Sequence, residues 1–422
     1  MSACQKGEAP TPTAQKTDTP QPTSIPTITV TPTQDVVRGT ITIWHGWEET
    51  QRSALYRRIA AFQTFYPEVQ FDVLYIPEID LEASFIEAMG ENAGPKILLG
   101  PASWGPDLYN QGLILDLSDY TDPTLLDTLN PAALGNGRYR QALLSLPLHI
   151  EGVVLYRNLS IIPNPPSSFD SLTTLALAAT HGGNVGAMLE RSFYFSAGHL
   201  YGLGGALMDS EGNPAFNADD YRASLKWLEL LKKFEQAGPA QYQSDSDLKL
   251  FKDRRLGFLI ETTDQMYNLA GEIDPLNLAI DPWPDYQAGH LAGFVQSEGA
   301  YLTKRAIAEE NQASWLFMRF LLSPDSQVTF AGVGYIPSVK SEVIASKNLR
   351  IGDPFITQAM EAMSRGAPYP TYPELNIYQT RFDLLLQSVL FQGAEAKDAL
   401  QVTYANIQTE LSSWRTQQTP AP

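Results

Sequence analysis

Residues 146–158, LPLHIEGVVLYRN, constrain this chain more than any other stretch. Val, Ile, Leu and Tyr dominate the run, Pro147 and Asn158 bound it, and a short apolar segment of that kind is a buried strand. Glu151 interrupts it, with Gly152 beside it. A carboxylate in a core is costly unless it is paired, so Glu151 is expected to face a cleft. Pro163, Pro165 and Pro166 then force an extended turn, and SFDS at 168–171 offers several helix caps. A strand that leaves one body, shows a polar residue at its exit and re-enters structure after a rigid turn reads as a crossover between two lobes. The length agrees, because 422 residues exceed what one core usually organises.

The flanking pattern is α/β. Residues 40–44 alternate as a strand, and Leu55, Ile59, Phe62 and Phe65 recur at helical spacing until Pro67. Val69, Phe71, Val73 and Tyr75 then alternate again. This βαβ unit implies a parallel sheet covered by helices. Residues 96–99 make a third strand and 106–111 a short helix closed by Gly112. Beyond the crossover, 172–179 is helical, 185–189 is strand-like, and 219–236 is amphipathic with Gly238 as its stop. Residues 278–284 and 297–302 read as strands, 313–322 and 354–364 as helices, and two more helices close the fold near Trp414.

The pattern P…EG…LYRN…PNPPSSFDSL from Pro147 to Leu172, YNQGLILDLSDY at 109–120 and FKDRRLGFLI at 251–260 resemble extracellular solute-binding proteins of the maltose-binding type. These are the ligand-capturing subunits of ABC importers. The resemblance implies a two-lobed α/β fold of the periplasmic-binding-protein type II class, with crossover hinge strands and a ligand cleft between the lobes. It implies lobe 1 at 36–151 and 297–340, and lobe 2 at 152–296 and 341–414. A disordered tether would occupy 1–35 and a disordered tail 415–422. Family members often carry a Trp just after the 251–260 segment. Glu261, Thr262 and Thr263 stand there instead, which puts that aromatic contact in doubt.

Thr and Pro fill the stretch before Asp35, which buries too little to order itself. Cys4 is the one cysteine, so no internal disulfide forms. Ser2-Ala3-Cys4 matches the small-small-Cys ending of a bacterial lipoprotein signal, although a stray tail thiol would look the same. A lipidated Cys4 would be the protein's only membrane attachment, because no apolar run reaches spanning length. The net charge of −18 argues against nucleic acid and anionic membrane surfaces.

No nucleophile elbow, zinc-helix motif, Walker loop or Cys/His metal spacing is present, so no catalytic residue, metal or cofactor is assigned. Asp245-Ser246-Asp247 lacks the glycine and closing Glu of an EF-hand loop. Aromatics and carboxylates do gather at strand ends and loops, where open α/β sheets bind ligands. The candidate contacts are Trp44, Trp47, Glu48, Trp104, Glu151, Phe193, Tyr194, Trp283, Glu298, Tyr335, Tyr369, Tyr372 and Tyr378. Aromatic faces stack on sugar rings and carboxylates accept hydroxyl hydrogen bonds. Some of these also have structural readings: Trp44 fits core or cleft, Tyr335 fits a residue that closes a lobe, and Phe193 or Phe195 fits the core with Tyr194 pointing outward. Trp227 and Trp315, on amphipathic helices, read as core. His149 is the one histidine near the argued site.

The expected function is a monomeric binding subunit outside the cytoplasm. It would capture a carbohydrate, an oligosaccharide above all, by hinge closure and deliver it to an ABC permease. A secreted glycoside hydrolase with paired carboxylates and a sensor-input binding protein are the alternatives.

Overall fold

The computed structural model describes residues 37–418 apart from 240, 241, 243, 244, 306 and 307, together with Met1 and Gly7. Cys4 and nearly all of the tether assigned to 1–35 lie outside the described residues.

Strands β1 (Gly39–His45), β2 (Val69–Tyr75) and β3 (Ile97–Pro101) are joined by helices α1 (Glu49–Phe65) and α2 (Glu78–Gly90). Both β2 and β3 pair with β1 in parallel, as the βαβ reading requires. Helix α3 (Gly105–Asn110) follows, then α4 (Pro131–Asn136) and the long strand β4 (Leu146–Asn158). Next come α5 (Phe169–Ala179), β5 (Val185–Met188), α6 (Phe193–Ser196), α7 (Ala218–Lys233), β6 (Leu256–Thr262), α8 (Met266–Ile273) and β7 (Leu278–Asp281). Strand β8 (Phe294–Leu302) leads to α9 (Ala308–Leu321), α10 (Pro324–Ala331), β9 (Ile336–Pro337), α11 (Pro354–Met363), β10 (Ala367–Pro368), α12 (Leu375–Phe391) and α13 (Ala396–Gln418).

One ten-stranded sheet runs in the order β2, β1, β3, β8, β4, β6, β5, with β7, β9 and β10 branching from it. β4 is its long member. Its first half pairs with β8 and β9, and its second half with β6 and β7. The apolar run 146–158 therefore spans both halves of the sheet, and β8 crosses beside it. At the crossing, a Cβ on Gly152 would stand 2.4 Å from the Phe294 carbonyl, so only glycine lets the strands approach this closely. The register slips between Glu298 and Gly299, where Pro147 has no N–H to continue the ladder.

Just past the crossing, Arg157 is buried and binds Asp281 of β7 in bidentate fashion, at 2.7 and 2.9 Å. Its remaining donor group reaches the carbonyls of Ile162 and Pro163 at 2.9 and 2.7 Å. The rigid Pro turn is thus fastened to the sheet before α5 begins. The core agrees with the amphipathic patterns: Trp227 is fully buried and donates to the Ser196 carbonyl, and Trp315 is buried. The tail assigned to 415–422 is corrected over 415–418, and 419–422 lie outside the described residues. Helix α13 continues to Gln418, because Arg415 bonds Asn213 and the Glu211 carbonyl.

Candidate functional site: the seam at the crossing strands

Strand register builds the site. His149 of β4 stands opposite Glu298 of β8, and Glu151 opposite Gln296. Alternation puts His149 and Glu151 on one face, with Gln296 and Glu298 beside them. Cross-strand neighbours lie within bonding reach, and His149 Nε2 meets Glu298 Oε2 at 2.8 Å. Ionised, that carboxylate only accepts, so the tautomer assigned to His149 carries its proton on Nε2. Trp47 Nε1 donates to the other oxygen, Oε1, at 2.5 Å. The Tyr335 ring, from the loop before β9, stacks on His149 at 3.7 Å and 8°.

Trp47 is itself held. Its backbone N–H donates to His45 Nδ1 at 3.0 Å, and its indole packs edge-on against Phe330 and Tyr335. Burial, reinforced by Arg52, depresses the His45 imidazole to about 4, so it stays neutral and can accept that bond.

A cleft of about 120 Å³ opens on this face. Its walls are Glu78 at the start of α2, Ala102 and Ser103 after β3, Asn136, the crossing residues, and Tyr369 with Thr371 after β10. Buried Asn136 accepts from the N–H and hydroxyl of Ser297 and donates to the Tyr369 carbonyl at 2.7 Å, coupling one wall to the floor. Gln296 donates to the Tyr194 hydroxyl at 2.8 Å, and Tyr194 packs edge-on against Tyr369. Among the described residues, three glutamates line the cleft and no Lys or Arg does. Glu151 is exposed to solvent at the cleft, yet the protein packed around its carboxyl partly desolvates it and raises its pKa. The nearby His149 opposes the rise, while Asp264, Glu298 and Glu78 add to it. Glu78 is raised in the same way, by burial first and Glu298 second. A wider hollow of about 850 Å³ lies between α8, α10 and α11, but it lacks this convergence of carboxylates, histidine and tyrosine.

The seam gathers Glu151, Glu298, Tyr335 and Tyr369, with Trp47 behind Glu298 and Tyr194 behind Gln296. Other candidates are placed elsewhere. Phe193, Trp283 and Tyr378 are sealed in the apolar cluster that also holds Trp227: Trp283 packs edge-on to His199, and Tyr378 bonds the Gly212 carbonyl. Trp104 folds back over Gly100, where a Cβ would strike its ring at 2.3 Å, so it covers β3 and does not line the cleft. Trp44 packs on the cluster around Leu81 and Phe85. Tyr372 is tied to the Ser210 carbonyl, and exposed Glu48 accepts from Tyr75. His149, Glu78, Asn136, Gln296 and Thr371 were not among the candidates. The period-2 spacing of His149 with Glu151, and of Gln296 with Glu298, is the signal that marks two of them. The Thr263 hydroxyl accepts from Gly152 N–H at the crossing, at 3.1 Å.

A family model described as bacterial extracellular solute-binding protein matches residues 57–349. The chain belongs to that family. As a member of this extracellular family it works outside the cytoplasm, and its relatives are binding proteins. The maltotriose-binding protein of Pyrococcus abyssi (strain GE5 / Orsay) is 22% identical over 365 residues, covering 80% of this chain and 74% of that protein. The galactooligosaccharide-binding protein of Bacillus subtilis (strain 168) is 22% identical over 372 residues, 84% and 86% of the two chains. Among solved structures, the extracellular solute-binding protein from Staphylococcus aureus in complex with maltose aligns with a TM-score of 0.75 at 18% identity, covering 89% and 98%. The cyclic alpha-maltosyl-1,6-maltose binding protein from Arthrobacter globiformis gives 0.73 at 18%, covering 88% and 98%. The solute-binding family thus has here its two-lobed type II α/β fold, as the hinge motif implied.

Proposed function

We propose that this solute-binding protein captures an oligosaccharide of the maltooligosaccharide class in the seam and delivers it to an ABC importer by hinge closure. The observation that carries the reading is the cleft at the crossing strands. Among the described residues, three glutamates, His149 and Tyr369 line it, no Lys or Arg does, and it lies where both halves of the sheet meet. Such walls suit a neutral polyol, whose hydroxyls donate to carboxylates and whose ring faces pack on aromatics. The names of the relatives support the sugar class. Lobe 1 at 36–151 and 297–340 and lobe 2 at 152–296 and 341–414 would rotate about β4 and β8, with ligand favouring the closed state. Cys4 would carry the lipid that anchors the monomer, and the membrane permease would be its partner. The protein acts by stoichiometric binding and not by hydrolysis.

A thermal-shift screen across maltose to maltoheptaose, with galactotriose and glucose as comparators, tests this. A ligand that binds only the folded state raises Tm with concentration. The expected result is a rise with maltotriose or longer. No rise with any sugar, or release of reducing ends, would overturn the reading.

A further inference from the structure

We propose that Glu298 is the residue that reads the ligand, accepting two neighbouring hydroxyls of one sugar ring, and that Trp47, His149 and Tyr335 are its positioning residues. The proposal rests on the oligosaccharide reading above and assigns its selectivity to one carboxylate.

An ionised carboxylate offers about four acceptor positions, two on each oxygen. Here each oxygen has one fixed N–H donor: Trp47 Nε1 on Oε1 and His149 Nε2 on Oε2. One position therefore remains on each oxygen, and Glu298 lines the cleft. Adjacent hydroxyls on a sugar ring present two donors with matching separation, so the free pair suits a vicinal diol. An isolated alcohol would use only half of it.

Both donors are packed in place. Trp47 is only 3% exposed and wedged between Phe330 and Tyr335, with its own N–H bonded to His45. The His149 ring is clamped by the stacked Tyr335. A carboxylate held from two sides loses little rotamer freedom when ligand arrives, and preorganisation of this kind is what raises affinity. Glu78 and Glu151 line the same cleft but have no such fixed donor among the described residues. They would adapt to the ligand, whereas Glu298 dictates the hydroxyl geometry that fits.

The test uses the full chain, maltotriose and titration calorimetry. Glu298→Gln is expected to weaken binding roughly ten- to hundredfold, the worth of hydrogen bonds to a charged group. Trp47→Phe keeps a ring and removes only the indole donor, and His149→Leu removes the other; each is expected to weaken binding severalfold. His149→Gln keeps an N–H and should retain affinity within about threefold of wild type. In a Glu298→Gln background, Trp47→Phe and His149→Leu should change affinity less than about twofold, since their effect runs through the missing carboxylate. Equal losses in both backgrounds, or wild-type affinity in Glu298→Gln, would overturn the proposal. Independently of ligand, the Trp47 indole N–H proton resonance should move upfield in Glu298→Gln, and an unmoved resonance would also overturn it. If the wild type binds none of the screened sugars, the oligosaccharide reading falls and takes this one with it. If the wild type binds and the variants match it, only this proposal falls.

Discussion

Replacing Arg157 by Met should cost about 3–5 kcal/mol of stability, because it breaks a buried ion pair and leaves the other charge behind. Both side chains are 5% exposed, and the guanidinium makes four hydrogen bonds: two to Asp281 and one each to the Ile162 and Pro163 carbonyls. The methionine stem fills much of the arginine's volume, so the loss is electrostatic and not a cavity. Asp281 is then an uncompensated carboxylate in a closed strand, and two carbonyls lose their donor. Arg157→Met/Asp281→Leu removes both charges, and paired replacement by apolar residues is often close to neutral. The double variant should therefore be more stable than the single one, and the loss that remains comes from the Ile162 and Pro163 carbonyls left without a donor. Urea denaturation followed by tryptophan fluorescence reads both, compared at constant m-value. A single variant within about 1 kcal/mol of wild type, or a double variant no better than the single, would refute this account of the fastening beyond the crossing.

Two further outcomes can be checked on the apo protein. The Glu151 carboxyl is raised by burial, so the folded state binds more protons than the unfolded state, and stability falls as pH rises through that window. Glu151→Gln should raise the apo Tm at pH 7, and the gain should vanish as pH falls below the ordinary carboxylate range; a loss of Tm at pH 7 would contradict the burial argument. Gly152→Ala would bring a Cβ to 2.4 Å from the Phe294 carbonyl and 3.1 Å from Val295 Cα, forcing the crossing strands apart at a cost of about 1–3 kcal/mol, and an unchanged urea midpoint would mean the crossing is looser than described.

How far the sequence was legible varies with the range of the contacts involved. The run 146–158 declared itself because its apolar character is local, and the lone Glu151 marked the face that opens. Trp227 was legible as core from its own helical stripe. Trp283 was not, since it stands at the end of a strand reading beside the crossover, and its burial against His199 comes from residues distant in sequence. Trp47 sits among polar residues, yet Phe330 and Tyr335 cover it from the far end of the chain. The end of α13 was misplaced for a similar reason, because Arg415 finds its partners around Asn213. His149 and Gln296 were within reach, as each stands two residues from a recognised carboxylate on a strand, where alternation alone puts them on the same face.

The size of the seam carries a last consequence. At about 120 Å³ it has room for roughly four waters, whereas pockets that bury small ligands run to about 300–1,000 Å³. An oligosaccharide therefore enters only when the walls separate. We propose that the walls separate by bending of β4 and β8 near Gly152, with the ladders on either side kept intact. Opening would draw Tyr369 and Tyr194 away from Glu78 and Ser103 while leaving the Trp47–Glu298–His149 assembly whole, since that assembly lies on one side of the bend. The apo protein in solution should then show a larger radius of gyration than the structure described here, and a saturating sugar should restore the compact value. Small-angle scattering measures both. Apo and liganded profiles that coincide with each other and with the structure would mean that no hinge gates this cleft.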